Sequence, residues 1–409
     1  MIGYREALRR VLEAAPALPS ERLSLAAAVG LVAAEDVVAT DPVPPFANSG
    51  VDGFAVRAED VEGAGPDAPV RLRLLAEVAA GQVAACEVVP GTTLGIMTGA
   101  PLPPGTGAIV MVEDARVAGD WVEILRAVRP GANVRPVGED LAAGARVVER
   151  GTVLRPADIG LLAEVGHGEV LVTRRARIAV VTTGDELVDV SEIPGPGRIR
   201  DANVHALCAQ ARSCGAVAVP FARVPDRREE LARALRAAAD AADVIATTGG
   251  ISMGEYDLVK EVLEELGAER AFWRVAQKPA GPLGFWRLGG RPTFGIPGNP
   301  VAAMLVMEEY VRPLLRRMMG FARLFRPERE GVLDAPWQKR QSDGRLHFLR
   351  VVARETEGVL RAVPSGPQGS GVLSSLARAN ALALVPEDAA AVPQGARVLV
   401  HLIEEAEDH

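Results

Sequence analysis

From Tyr4 to Glu13 the apolar positions recur with helical spacing, and Pro16 and Pro19 follow that segment. A second helix is expected from Ser24 to about Val32, with Ser24 as its N-cap. Beyond Val43 the pattern changes to short apolar runs broken by Gly and Pro. The runs beginning at Val70, Thr92, Gly107 and Trp121 read as strands of a β-rich module that closes near Asp140. Residues 142–173 mix turns with a short helix over 156–165, and they are expected to join the N-terminal helices in one discontinuous domain.

The rhythm changes again at residue 176. Strands beginning at Ala176, Ala216 and Asp243, the first and last of them buried, alternate with helices over 201–215, 226–242 and 256–267, the middle one opened by Asp226. Two strands around Gly289-Gly290 and a long helix from Pro300 to Met319 complete the segment. Such alternation marks a doubly wound α/β domain with a largely parallel sheet. After Arg326-Pro327 short strands return, as in a small barrel or sandwich. The expected fold class is α/β plus β and multidomain. A discontinuous helical and extended domain covers 1–44 and 141–175, and the β-rich module covers 45–140. The α/β/α domain takes 176–326 and a C-terminal small β-barrel 327–409.

Composition narrows the function. The 45 basic and 53 acidic residues leave a net charge of −8, which disfavours nucleic acid as a partner. No apolar stretch reaches the roughly 20 residues of a membrane span, and the N-terminal segment does not resemble a secretory signal, so a cytoplasmic location is expected. Cys86, Cys208 and Cys214 fit no zinc spacing, and the five histidines form no cluster. An anionic ligand must therefore be held locally.

Three loops of the α/β domain meet the condition for such binding, because open parallel sheets bind ligands beyond the carboxyl ends of their strands. They are 182–187 (TTGDEL), 247–257 (TTGGISMGEYD) and 295–300 (GIPGNP). Their glycines (Gly184, Gly249, Gly250, Gly298), Thr183, Ser252, Pro297 and Asn299 suit close approach by phosphate. Asp185, Glu186 and Asp257 would repel that phosphate unless a hard cation such as Mg2+ lay between. Asp185 or Asp257 would equally serve as a helix cap. Lys278, in the segment QKPAGP, is a candidate cation for the same crevice and equally a solvated surface lysine. In the β-rich module, Ser49 and Asp52 lie in a Pro-introduced turn, and Arg135, Glu139 and Asp140 surround Gly138.

Taken together, PPFANSGVDGFA, IMTGAPLPPGTGAIVMVED, VRPVGEDL, TTGDEL, GGISMGEYD, FGIPGNPVAA and QGSGVLSSLARANAL resemble, in order, blocks of the molybdopterin molybdenumtransferase family, which includes bacterial MoeA and the gephyrin E domain. The resemblance implies an elongated homodimer of four-domain protomers, with a cleft between the α/β domain of one subunit and the β-rich module of the other. Asp52, Thr98, Glu139 and Asp140 would face it from one chain. Asp185, Glu186, Ser252, Asp257, Lys278, Pro297 and Asn299 would face it from the other, and Ser370, Ser374, Ser375 and Arg378 belong to a C-terminal block. The implied substrates are adenylylated molybdopterin and molybdate, with Mg2+ as cofactor. The adenylyltransferase and molybdoenzyme chaperones are implied partners. An adenylyltransferase, or a non-catalytic scaffold like gephyrin, is the alternative. One departure stands out: the family commonly reads KPGKP where this chain has KPAGP, so Gly281 replaces a lysine, with Arg135 or Arg350 as candidates to restore the charge.

Overall fold

The computed structural model describes residues 1–250, 258–339 and 343–403. Its centre is a six-stranded sheet in the order Val217–Val224, Arg177–Thr183, Val244–Thr248, Arg291–Ile296, Gly284–Leu288, Glu269–Trp273. The first four strands run parallel, and the last two are joined antiparallel. Side chains alternate between the two faces, as a strand requires. Ile178, Val180, Val244 and Ala246 enter one core, while Ala179, Val181 and Ile245 enter the other. Helix Ala202–Ser213 and the helical segment 300–318 cover the first face, and helices Arg228–Ala241 and Leu258–Glu265 cover the second. Each fully buried Val, Leu or Ile contributes roughly 1.5–3 kcal/mol.

The C-terminal strands close into a five-stranded barrel. Leu346–Thr356 pairs with Val359–Pro364, then come Glu328–Leu333, Arg397–Leu402 and Ala381–Val385, which pairs back onto Leu346–Thr356. Gln277–Lys278, a segment of the α/β domain, adds a sixth strand in parallel beside Leu346 and His347. This graft ties the two domains together.

The β-rich module is a further six-stranded sheet, ordered Ala108–Met111, Gly53–Val56, Thr92–Ile96, Val70–Val78, Trp121–Ile124, Ala115–Ala118. The run expected as one strand from Gly107 is divided by a 3-10 turn at Val112–Asp114. Strand Ser20–Ser24 pairs with Glu169–Thr173 and Val37–Val38 with Arg146–Val148, so two distant segments share one core.

Three further expectations are corrected. The second helix covers only Leu25–Ala28, because Ser24 ends a strand and makes no cap bond, and Gly30 has φ +76°. The first helix does not pack with residues 20–44: Tyr4, Ala7 and Val11 enter the core shared by the α/β domain and the barrel. The long C-terminal helix carries a π turn at Met307–Val311, which points Glu309 and Tyr310 inward, both buried. No helix among the described residues is long and apolar enough to cross a membrane.

Candidate functional site

Thr183, Thr248 and Ile296 end neighbouring parallel strands, so their loops emerge side by side. Gly249 lets two of them touch. Its φ is +97°, and a Cβ there would stand 2.1 Å from the Thr183 carbonyl oxygen, a distance no side chain tolerates. Gly298 comes from the third loop, and its own Cβ would lie 3.5 Å from Gly249 Cα.

Hydroxyls and amides then lock the loops. Thr183 Oγ1 donates to Asp226 at 2.8 Å, and Thr182 Oγ1 donates to Asp201 at 2.5 Å. Asn203 Nδ2 donates to Thr248 Oγ1 at 3.0 Å and to the Gly298 carbonyl at 2.7 Å. The result is a cavity of about 360 Å3 whose lining includes Thr183, Glu186, Asp201, Asn203, Gly249, Gly298 and Asn299. Asp201, Asn203 and Asp226 were not among the sequence-derived site residues, and only the polar cluster Asp201-Ala202-Asn203 at a helix start hinted at the first two. Asp226 lies just before the helix that begins at Arg228, and its carboxylate holds Thr183. Gly250 sits under Val259, with φ +62°, and does not line the cavity. Ser252 and Asp257 lie outside the described residues.

A second cavity, of about 810 Å3, opens at the seam between the α/β domain and the barrel. Lys278, Pro297, Gly298, Asn299, Arg345, His347 and Ser370 are among its lining residues. Gly298 and Asn299 therefore belong to both cavities, and the GIPGNP loop is their common wall.

The rest of the C-terminal block serves the barrel. Ser375 is fully buried, accepts the Arg350 Nε–H at 2.9 Å and donates to the Val372 carbonyl. Ser374 and Arg378 are exposed and line neither cavity. Arg350 is buried and holds the Pro367 and Gly369 carbonyls, and burial pushes its pKa down to about 10. It does not stand beside Gly281, and neither does Arg135, which pairs with Glu139 at 2.8 Å. The guanidinium near Gly281 is that of Arg345.

In the β-rich module three segments are laced together. The Ser49 N–H donates to the Ala100 carbonyl, the Gly99 N–H donates to the Ser49 carbonyl, and Asn48–Ser49 pairs with Val134–Arg135. This lacing brings Asp52 to Thr98, whose backbone N–H and hydroxyl both donate to one carboxylate oxygen, at 2.7 and 2.9 Å. These two bonds, the backbone one larger, hold the Asp52 carboxyl below its ordinary pKa. Glu139 and Asp140 are exposed at the same end, and the Asp140 N–H donates to the Val43 carbonyl. Ser49 is fully buried and its hydroxyl bonds Val51, so it shapes the turn rather than facing a ligand. No residue of 45–140 lines either cavity, so one chain holds the predicted residues in two separate groups.

Among the described residues no three potential metal ligands gather. Asp185 and Glu186 are exposed neighbours, and Glu186 lines the smaller cavity. The Asp185 carboxylate instead accepts the Asp226 N–H at 3.3 Å; carboxylates of this kind are the hard oxygen donors that magnesium takes, one or two at a time.

Comparison with known proteins agrees along the whole chain. Residues 2–166 match the MoeA N-terminal region (domain I and II), 179–317 the "Probable molybdopterin binding domain", and 331–403 the MoeA C-terminal region (domain IV). Molybdopterin molybdenumtransferase 2 of Mycobacterium tuberculosis is 38% identical over 405 residues, covering 98% of this chain and 99% of that protein. The molybdopterin molybdenumtransferase of Bacillus subtilis is 32% identical, covering 99% and 94%. Two solved structures of the MoeA protein of Pyrococcus horikoshii superpose with TM-scores of 0.84 and 0.79, at 31% and 30% identity, over 99% and 98% of this chain and 100% of each of theirs. With its three regions in order and its relatives matched end to end, the chain belongs to the molybdopterin molybdenumtransferase family.

Proposed function

We propose that this protein inserts molybdenum into adenylylated molybdopterin and releases AMP, as a homodimer whose cleft joins the two groups of site residues. The observation that carries this reading is the pair of adjoining cavities with Gly298 and Asn299 as their shared wall. The smaller one, lined by Gly249, Gly298 and the strand-end residues Thr183 and Thr248, suits a phosphate-bearing ligand. The larger one, lined by Lys278 and Arg345, suits a second anion. A substrate carrying a pyrophosphate beside a dithiolene needs both.

In the reaction the two dithiolene sulfurs form bonds to molybdenum and displace one oxo ligand of molybdate, which leaves as water with the two thiol protons, while a second water cleaves the pyrophosphate and frees AMP. No protein nucleophile is needed. The buried thiols agree with this, since burial raises the pKa of Cys208 and Cys214. Lys278 offsets negative charge as AMP departs. Asp52 of the second protomer, kept ionised by Thr98, orients molybdate or water with Glu139 and Asp140. Asp185 and Glu186 would hold magnesium, whose charge lets phosphate lie beside these acids.

The test is AMP release from adenylylated molybdopterin with and without molybdate, in magnesium and in chelator. Molybdate- and magnesium-dependent release is expected. Release of pyrophosphate from ATP and unadenylylated molybdopterin would instead identify an adenylyltransferase and reject the proposal.

A further inference from the structure

Four basic side chains line the larger cavity: Lys278, Lys339, Arg345 and His347. Two of them are engaged elsewhere. Lys339 is buried, and its ammonium donates to the carbonyls of Arg345, Pro386 and Glu387 at 2.8, 2.7 and 3.2 Å. His347 leans on Asp343 at 3.0 Å, and burial holds its pKa below the ordinary value, so the ring is neutral near pH 7. That leaves Lys278, exposed on the strand beside His347, and Arg345.

Arg345 is only partly satisfied. Its Nε is buried with no hydrogen-bond partner, and its guanidinium makes no ion pair among the described residues. Its Nη1 lies 3.9 Å from the place where a Cβ on Gly281 would stand, so the missing side chain leaves room beside the guanidinium. Unpaired buried donors are costly unless a ligand meets them. Ser370 and Asn299 line the same cavity and offer further polar groups. The whole chain carries −8, so this concentration of unneutralised positive charge is a local feature.

We propose that Arg345 directly binds a tetrahedral oxyanion of the substrate, which it brackets with Lys278 in the space left open by Gly281. The proposal rests on the molybdenum-insertion reading. It names a cation that the sequence pattern did not single out, supplied by the barrel of the same chain. The oxyanion is either molybdate itself or the phosphate that leaves as AMP.

Equilibrium dialysis with molybdate alone and with AMP alone tests it, on the full-length protein, alongside molybdate-dependent AMP release. Arg345→Gln is expected to weaken one of the two ligands about tenfold or more, the scale of a lost charge-assisted hydrogen bond. KM for the matching substrate, molybdate or adenylylated molybdopterin, should rise and kcat should change far less. A loss confined to molybdate assigns the metal oxyanion, and a loss confined to AMP assigns the phosphate. Restoring a cation from across the gap, in the double variant Arg345→Gln, Gly281→Lys, is expected to recover most of the affinity. Gly281 has an ordinary φ, and a Cβ there would approach the Gln277 carbonyl at 3.2 Å, so a lysine needs only a small backbone shift.

Unchanged binding of both ligands by a folded Arg345→Gln variant overturns the proposal. So does a loss that Arg345→Lys fails to restore even in part. Should the wild-type protein bind molybdate in an Arg345-dependent way yet release no AMP, the reaction assignment fails while the anion site stands. Normal AMP release by Arg345→Gln, with unchanged KM and binding, does the reverse.

Discussion

Thr98 delivers both of its hydrogens to one oxygen of Asp52, the amide at 2.7 Å and the hydroxyl at 2.9 Å. The carboxyl is thereby held below its ordinary pKa. A depressed pKa means the ionised form persists as pH falls, and is lost only when pH drops through that lowered value. Thr98→Val keeps the amide bond but removes the hydroxyl, so the acid limb of the AMP-release profile should move to higher pH. Asp52→Asn should cut AMP release on the order of a hundredfold and leave the melting temperature unchanged, because the side chain is exposed. A profile indifferent to Thr98→Val would remove Asp52 from the reaction.

Gly249→Ala tests how the loops are joined. The added methyl would lie 2.1 Å from the Thr183 carbonyl oxygen, in a backbone conformation with φ +97°. The two loops must separate to admit it, at a cost of about 3 kcal/mol or more. Urea denaturation measures that cost, and binding of AMP should weaken in parallel. Wild-type stability in this variant would contradict the packing of the three strand ends.

Ala280 sits in the left-handed region, with φ +65°, one residue before Gly281. An L-residue there costs roughly 1–2 kcal/mol, which a glycine avoids at some expense in chain entropy. Ala280→Gly should therefore stabilise the protein by about 1 kcal/mol, read as a shifted denaturation midpoint with an unchanged slope. A loss of stability would mean that the methyl, itself buried, matters more through packing.

Glu309 joins three parts of the chain. It accepts the Tyr4 hydroxyl at 2.6 Å from the first helix and meets His401 at 3.1 Å from the barrel. His401 also meets Glu328 at 3.0 Å. Burial opposes the charged imidazole, but the two carboxylates outweigh it, and the pKa of His401 lies above its ordinary value. A raised folded-state pKa contributes stability in full below the unfolded value near 6.5, and that stability is lost as pH rises through the folded value. Denaturation midpoints should accordingly fall as pH is raised above 6.5, and His401→Gln should flatten that dependence. Glu309→Ala, which strands Tyr4 and His401, should cost about 3 kcal/mol at pH 6.

Much of this architecture is written locally in the chain. The alternation of buried strands with helices over 176–320 and the Gly- and Pro-bounded strands of the barrel are short-range patterns, and both elements are present. Where sequence reading erred, nonlocal pairing won. Ser20–Ser24 became a strand because Glu169–Thr173 was there to receive it, which left too few residues for the expected helix. The first helix found its apolar partner in the α/β core rather than in its sequence neighbours.

The candidate site divides along the same line. Glycines at strand ends, the acids after Thr183 and the lysine before Pro279 are legible without coordinates, because the chemistry of each is carried by its own short segment. The sequence by itself determined the fold class, the family and the loops that carry polar groups. Only the tertiary structure decided that Ser49 and Ser375 turn inward, that Lys339 is tied to three carbonyls, and that Arg345 stands beside Gly281. Periodicity is a property of neighbours along the chain. Which hydroxyl is already satisfied, and which guanidinium is left unpaired, depends on residues tens or hundreds of positions away that packing alone brings within reach.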